Sequence, residues 1–296
     1  MISQRKIFVG GYFLFALFIC FPAPFHGDLI GHQDVDVWNH VWGYWFFLDS
    51  ILSGSLPWQA ELLNAPNGGV LYFVDPVGAT AALPLSALFG VGFAYTAIQI
   101  ARVCLAGMMS HLFCKEVSGD GAHCWLAGLS FASSPFLLAE IGNGISEVTA
   151  IWWTALCFWR AARAFSSGQT RDWVILGLAQ GLCTLSSFYY GLGTAILIGL
   201  WFLWRRPFSN LKGIVSASFL AIAIPLPFFA AFKASLGPGN PDALIQRSSE
   251  LNVELLQHNA VDPQEYFVPG GFQSVDFMAT YGEAFVHTVY LRWSVI

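Results

Sequence analysis

Long apolar runs alternate with short polar segments along the chain, and the polar segments hold most of its lysines and arginines. The first run follows Arg5 and Lys6 and extends from Ile7 to about Phe21. Further runs lie at about 93–114, 124–140, 147–165, 173–204 (two short spans) and 213–232. Because a spanning helix needs roughly 20 apolar residues, the pattern predicts an all-α, polytopic transmembrane helix bundle of about seven spans.

The basic residues predict an orientation for this bundle. Between Lys6 and Arg102 the chain carries no lysine or arginine, and basic residues near spans stay in the cytoplasm. We therefore expect a multi-pass protein of the inner (cytoplasmic) membrane, with its N-terminus inside and the loop 26–77 on the non-cytoplasmic face. The first run also has the charge and length of a secretory signal peptide, and cleavage there would leave the loop on the same side.

The outer loop contains a segment with helical periodicity. Apolar side chains recur on one stripe, and polar or small residues take the opposite face. The stripe consists of Val37, Val41, Trp45, Leu48 and Leu52, and the opposite face of Asp36, Asn39, His40 and Gly43. Because the segment is also rich in interface-seeking tryptophan, we predict that residues 35–53 form a helix lying along the membrane surface.

The segment 77–114 is too long for one span and short for two. Interruptions at Pro84 and Gly90-Val-Gly92 predict a short re-entrant or surface helix, followed by a span. Asp75 directly precedes Pro76 and is interpreted as a turn residue.

Composition restricts the class of protein. Hydrophobic residues make up 56% of the chain and charged residues only 10%, whereas soluble domains hold about 25% charged residues. We therefore expect membrane lipids as partners, and the lack of a polybasic run argues against a nucleic-acid partner.

All six cysteines lie in apolar stretches or at their edges without Cys-x-x-Cys spacing, so the sequence supports neither disulfides nor a zinc site. The sequence makes no prediction of oligomeric state.

Asp34 and Asp36 form a pair at the start of the surface helix, flanked by His32 and His40. Two carboxylates one residue apart can share a divalent cation, Mg²⁺ or Mn²⁺, or one can act as a base while the other tunes it. The alternative is that Asp34 caps the helix by accepting from free backbone N–H groups. The flanking histidines and the outer position favour the catalytic interpretation, with both histidines as substrate-binding candidates.

The outer loop resembles that of the GT-C superfamily of polytopic glycosyltransferases, which includes protein O-mannosyltransferases, aminoarabinose transferases and oligosaccharyltransferases. The resemblance covers roughly residues 1–230 and rests on a first span, an Asp-x-Asp pair, a tryptophan-rich surface helix and many later spans. Bacterial members of the superfamily carry short motifs in this loop. The residues of this chain that resemble them are Gly27-Asp28, Trp38, Gly54-Ser-Leu-Pro57 and Asn64-Ala-Pro-Asn-Gly68. It implies transfer of a sugar from a polyprenyl-phosphate carrier to an acceptor on the outer face, with Asp36 as base and Asp34 as its partner.

Four further side chains are candidates for the same site. Glu147 and Glu140 flank a tight outer turn and are candidates to face the same cleft, Glu147 as a catalytic group; the other interpretation, which the turn sequence favours, is helix-end capping by Ser146 and Glu147. Tyr189 reaches the outer face, where it either stacks on a sugar or anchors the helix at the interface. Arg247 offers a guanidinium to the carrier phosphate, and the alternative is a solvated loop arginine paired with Glu250.

Arg102 falls in the middle of a predicted span, where an unpaired arginine costs about 2.5–3.5 kcal/mol on insertion scales. We expect it to face the bundle or a polar cavity, either in a structural pair or in a functional role. Because midplane charges and broken helices line transport paths, Arg102 and the interrupted segment 77–114 also favour a transporter or lipid flippase as the alternative function.

The predicted organisation is a transmembrane core at 1–232, an outer C-terminal segment at 233–286 and the start of a further span at 287–296. The last segment reads as the opening of a span that then stops. It therefore predicts a truncated form or fragment of a longer protein, and a non-catalytic membrane fragment is the third interpretation.

Overall fold

The computed structural model describes residues 2–27, 29–31, 36–57, 59–62, 69–70, 75–205 and 210–235. These residues are almost entirely helical, as the sequence predicts. The helices are α1 (Ile2–Ile19), α2 (Ala23–His26), α3 (Val37–Ser53), α4 (Pro76–Phe89), α5 (Val91–Ser118), α6 (Ala122–Ala132), α7 (Pro135–Asn143), α8 (Ser146–Thr149), α9 (Trp152–Ser167), α10 (Thr170–Ser186), α11 (Phe188–Arg205), α12 (Leu211–Ala223) and α13 (Leu226–Ser235). Two short strands that the sequence did not predict, β1 (Gln59–Ala60) and β2 (Gly69–Val70), pair antiparallel in the loop between α3 and α4.

Within the described residues, three helical stretches are long and apolar enough to cross a membrane: Val91–Ser118, Ala122–Asn143 and Leu211–Lys233. Phe8–Ile19 and α4 are apolar but shorter. The helices α9, α10 and α11 coincide with the remaining predicted spans. The helices thus support a membrane protein, and the total of about seven spans stays a prediction.

Two helices organise the bundle. α5 packs against α1, α4, α6 and α9, and α10 packs against α9, α11 and α12. Glycines of α10 let α12 approach closely, because a Cβ added at Gly177 would lie only 2.5 Å from the backbone oxygen of Ala217. Such small-residue contacts are typical of helices packed within membranes, where close van der Waals contact replaces hydrophobic burial as the driving force.

α3 spans Val37–Ser53, close to the predicted 35–53. The two predicted faces are each divided between the bundle and the outside. His40 and Gly43 of the polar face and Val37 of the apolar stripe are buried, whereas Trp45 and Leu52 of the stripe are exposed. This distribution fits a helix whose outer stripe meets lipid, and its position on the membrane surface stays a prediction.

Breaks occur near the positions that the sequence marks. α4 and α5 are separated at Gly90, where φ is 87°, whereas α4 continues through Pro84. The predicted span 124–140 consists of two helices, α6 and α7. They separate because Ser134 caps α7 with its hydroxyl and Pro135 occupies the first helical turn, where its missing N–H costs nothing.

The turn after α7 closes tightly against the start of α3. α7 ends at Gly144, which has a left-handed φ of 74°. A Cβ added there would lie 2.6 Å from the Cβ of Val37, so any larger residue would force the two elements apart. From α5, the hydroxyl of Tyr95 donates to the Gly144 carbonyl at 2.5 Å. These contacts fix the turn beside α3.

Candidate active site

A cleft of about 760 Å³ opens where α3 begins and α7 ends. Its wall comes from the first turn of α3, from α7 and α8, and from the junction of α10 with α11. The lining residues are Asp36, Asn39, His40, Phe136, Glu140, Ile145, Glu147, Val148, Ser187, Tyr189 and Tyr190. Carboxyl, imidazole and aromatic side chains therefore meet at one end of the bundle.

The structure brings several of the sequence candidates together in this cleft. They are Asp36, His40, Glu147 and Tyr189, with Glu140 beside them. Outside the described residues lie His32, Asp34, Arg247, the turn 64–68 and the chain beyond residue 235. The geometry of the aspartate pair, and the Mg²⁺ or Mn²⁺ assigned to it, therefore stay predictions.

Asp36 lies at the mouth of the cleft, directly before α3, and is exposed. Its carboxylate makes no capping hydrogen bond to the backbone of α3. Instead Oδ1 accepts from the side-chain amide of Asn39 at 3.3 Å. Because a carboxyl group has several lone-pair positions, acceptor positions of Asp36 are left over by its contacts with the described residues.

His40 forms the inner wall of the cleft and is 3% exposed. Its Nδ1 is hydrogen-bonded to the hydroxyl of Ser146 at 2.9 Å, and Oε2 of Glu147 lies 3.4 Å away. Burial lowers the pKa of His40 to about 4, and the charge of nearby Arg102 acts in the same direction. The imidazole is therefore neutral at physiological pH.

Glu147 lies in α8, a single helical turn between α7 and α9. The sequence predicted one helix at 147–165, but the long helix α9 begins at Trp152, so Glu147 lies outside it. Burial raises the pKa of Glu147 to about 8, and the charge of Asp75 adds to this. Its Oε2 has no hydrogen-bond partner among the described residues. The alternative was that Ser146 and Glu147 cap a helix end. The hydroxyl of Ser146 is instead hydrogen-bonded to Nδ1 of His40. Glu147 thus presents a largely protonated carboxyl group to the cleft at neutral pH.

Glu140 projects from α7 into the same cleft and is only 2% exposed. Within the described part of the chain, its Oε2 has no hydrogen-bond partner. Because a buried polar atom without a partner costs free energy, such atoms are rare in folded proteins. This oxygen can accept a hydrogen bond from water or from a polar ligand in the cleft.

Two tyrosines at the start of α11 complete the cleft in different ways. The hydroxyl of Tyr190 donates to the Val148 carbonyl at 2.6 Å, which fixes its ring against α8. Tyr189 is 76% exposed at the rim. The rim therefore offers an aromatic ring that is free to contact a ligand from outside.

A buried polar network connects to the cleft; the sequence predicted that Arg102 faces the bundle but did not predict its partners. Arg102 of α5 is 3% exposed and forms an ion pair with Asp75, which is 2% exposed. Its Nη1 donates to the Ser146 carbonyl at 2.6 Å and to Oγ1 of Thr149 at 2.8 Å, and Nη2 donates to the Tyr44 hydroxyl at 3.2 Å. The arginine is therefore in a structural pair that also holds α8, the turn that carries Glu147.

The sequence predicted Asp75 to be a turn residue before Pro76, but its carboxylate also connects three helices. Its Oδ1 caps α4 by accepting from the backbone N–H groups of Val77 at 3.0 Å and Gly78 at 2.9 Å. The same oxygen accepts from the Ser186 hydroxyl of α10 at 2.8 Å, and Oδ2 meets Arg102. One signal in the sequence could have found the pair, because an arginine inside a span needs a carboxylate and Asp75 is the nearest one upstream.

Comparison with models of protein families found no match, and a search of curated proteins found no significant match. The resemblance to GT-C glycosyltransferases therefore stays a prediction from the sequence. The site itself consists of the exposed carboxylate of Asp36, the buried carboxyl group of Glu140, the half-buried carboxyl group of Glu147, a neutral imidazole and an aromatic rim. Such a combination can accept hydrogen bonds from a polyhydroxylated ligand and exchange protons with it.

Proposed function

We propose that the chain is a membrane glycosyltransferase, which moves a hexosyl or pentosyl group from a polyprenyl-phosphate carrier to an acceptor on the non-cytoplasmic face. The observation that carries this proposal is the shared cleft of Asp36, Glu140, Glu147 and Tyr189. Carboxyl groups accept hydrogen bonds from sugar hydroxyls, and an aromatic ring packs against the C–H face of a sugar. The motifs of the outer loop point to the same activity.

The size of the cleft suits this ligand class. Small-molecule sites typically measure roughly 300–1,000 Å³ and combine an apolar lining with a few polar groups. The volume of about 760 Å³ lies within that range. The lining pairs apolar Phe136, Ile145 and Val148 with the carboxyl groups. The volume is therefore of the size expected for a site that takes a monosaccharide unit.

The proposed reaction gives different roles to Asp36 and Glu147. Asp36 takes the proton of the acceptor hydroxyl as the acceptor oxygen bonds to the anomeric carbon. The bond between that carbon and the phosphate oxygen breaks, and the carrier phosphate leaves with the electron pair. Glu147, whose pKa of about 8 keeps its proton at neutral pH, donates a hydrogen bond to the departing phosphate. Carboxyl groups with different environments commonly divide acid and base roles in this way.

Transport is the second candidate, and the breaks in the helices favour it. Gly90 separates α4 from α5, and the 133–134 break separates α6 from α7. Interrupted helices of this kind line substrate paths in transporters. In contrast, the charge of Arg102 is satisfied by protein groups, which favours a structural role for it over a place on a transport path.

The test is turnover in proteoliposomes that contain the purified full chain. Polyprenyl-phosphate donors with a radiolabelled hexose or pentose are supplied together with a membrane extract as the source of acceptor. We expect consumption of one donor, with matching release of free polyprenyl phosphate and labelled product. Movement of intact donor across the bilayer without cleavage would favour the transporter, and failure to convert any donor would contradict the transferase.

A further inference from the structure

The junction between α5 and α6 gathers a second group of polar side chains, far from the cleft. α5 ends at Ser118 and α6 begins at Ala122. Between Ala122 and the cleft residue Glu140, the two helices α6 and α7 rise about 27 Å at 1.5 Å per residue. This junction is therefore a separate site at the other end of the bundle.

Two cysteines and two histidines converge at this junction. The ligand atoms of Cys114, His123 and Cys124 all lie within 4.8 Å of one another. A second group with the same spacing consists of His111, Asp120 and Cys124. Cys124 and His111 are buried, whereas His123 is exposed. The sequence did not predict this group because its members are divided between the end of one helix and the start of the next.

Weak hydrogen bonds hold the sulfur atoms of Cys114 and Cys124. The hydroxyl of Ser118 lies 3.0 Å from Nε2 of His123 and 3.5 Å from Sγ of Cys114. Sγ of Cys124 donates to the Gly119 carbonyl at 3.2 Å. Thiols are weak donors, and little hydrogen-bond energy is lost when a metal ion takes their place.

The remaining contacts identify the fourth ligand. The carboxylate of Asp120 forms an ion pair with Lys115, so it is already engaged. Nδ1 of His111 is hydrogen-bonded to the hydroxyl of Tyr12 at 3.0 Å, which leaves Nε2 as the ligand atom. Metal-binding histidines typically have such an outer partner on the second nitrogen, which fixes the orientation of the ring.

We propose that Cys114, Cys124, His123 and His111 bind one Zn²⁺ ion. Two sulfur and two imidazole ligands in tetrahedral arrangement are a donor set that Zn²⁺ prefers. Both thiols release their protons to solvent when the ion binds, so affinity rises with pH. The bound ion joins the last turn of α5 to the first turn of α6 and stabilises the connection between two apolar helices.

The test uses the purified full chain in detergent, stripped with a chelator and kept reduced with a phosphine. Co²⁺ alone is titrated as a spectroscopic probe, followed by Zn²⁺. We expect one equivalent of Co²⁺ to produce a thiolate-to-cobalt charge-transfer band and the ligand-field absorption of a tetrahedral site, both displaced by Zn²⁺. Cys114→Ser and Cys124→Ser each abolish the charge-transfer band or weaken binding at least tenfold.

Matched variants keep the test independent of folding. Cys157→Ser changes a cysteine that is as deeply buried as Cys124 but lies in α9, and it should bind Co²⁺ like the unchanged chain. His123→Gln alters an exposed side chain, so the chain folds while its affinity falls at least tenfold. Absence of the charge-transfer band, or a band that survives Cys114→Ser, would overturn the proposal. So would a disulfide that joins Cys114 to Cys124 in the chain isolated without reductant.

Discussion

Burial shifts the pKa values of two neighbouring groups of the cleft, His40 and Glu147, in opposite directions. The pKa of His40 falls to about 4 and that of Glu147 rises to about 8. Between these values both groups are neutral, because burial disfavours the charged form of each. Their 3.4 Å contact is therefore not an ion pair at neutral pH. The cleft carries a protonated acid beside the exposed carboxylate of Asp36.

Glu147→Gln tests the role of this protonated acid. Transfer by the unchanged chain should fall as pH rises through about 8, because Glu147 then loses the proton that it donates. The amide of glutamine still donates, so the variant should retain activity while its alkaline decline disappears. pH–rate profiles of transfer measure this, with Glu61→Gln in the outer loop as the matched control. An unchanged alkaline decline in Glu147→Gln would remove this residue from proton donation.

His40→Gln tests burial of the neutral imidazole. Because the folded pKa is depressed, the stability that His40 contributes is fully present above pH 6.5 and is lost as pH falls toward 4. At about 1.4 kcal/mol per pKa unit, the loss is about 3 kcal/mol. Glutamine does not titrate, so the variant should lose less stability between pH 7 and 4 than the unchanged chain. Thermal unfolding in detergent measures the difference, and parallel curves would contradict the burial argument.

At the level of elements, the Asp75–Arg102 pair joins helices that are distant in sequence. Through these two residues, α4 and α5 are connected to Tyr44 of α3, Ser146 of α8 and Ser186 of α10. A Cβ at Gly78 would collide with this network, since it would come within 2.3–2.7 Å of three of its side chains. The position of α8, and therefore of the cleft carboxyl groups, depends on this pair.

Asp75→Asn should destabilise the chain strongly. The amide retains an oxygen for the backbone of α4 but leaves the buried charge of Arg102 without its counter-ion, and breaking a buried pair costs about 3–5 kcal/mol. Asp49→Asn makes the same substitution at an exposed site on α3 and should leave the unfolding midpoint unchanged. Thermal or denaturant unfolding in detergent compares the two variants. Equal midpoints would show that the pair does not hold the bundle together.

Local patterns predicted the elements better than the contacts between them. The bounds of α3 and the break at Gly90 follow from periodicity and glycine chemistry, which act over a few residues. The partnership of Asp75 with Arg102 spans 27 residues, and only the folded bundle brings them together. The sequence likewise did not predict the grouping of Cys114 with Cys124. Spacing along the chain does not show that two helices approach each other.

At the scale of the whole molecule, large apolar surfaces point outward. The stretch Leu211–Lys233 is the least buried of the three candidate spans, with Phe219 67% exposed. On α11, Leu200 and Trp204 are likewise exposed. Water-soluble proteins rarely expose such contiguous apolar surface. Contact with lipid accounts for it, and this agrees with the membrane location expected from the sequence.

Asn67→Cys tests the predicted orientation of the bundle. With the six native cysteines replaced, a cysteine in the outer loop should react with a membrane-impermeant thiol reagent in intact cells. Gln169→Cys, in the connection between α9 and α10, is the matched control and should react only after lysis. The reverse pattern would place the cleft on the cytoplasmic side and contradict the proposed donor.

The most direct test of the proposed transferase is turnover of Asp36→Asn in the proteoliposome assay. Asparagine keeps the shape and the contact to Asn39 but cannot take a proton. Because general-base help is worth about 10²–10⁴-fold in rate, transfer should fall by that factor, while Asp49→Asn transfers normally and both variants unfold at the temperature of the unchanged chain. Transfer by Asp36→Asn at the unchanged rate would contradict the account and direct attention to transport.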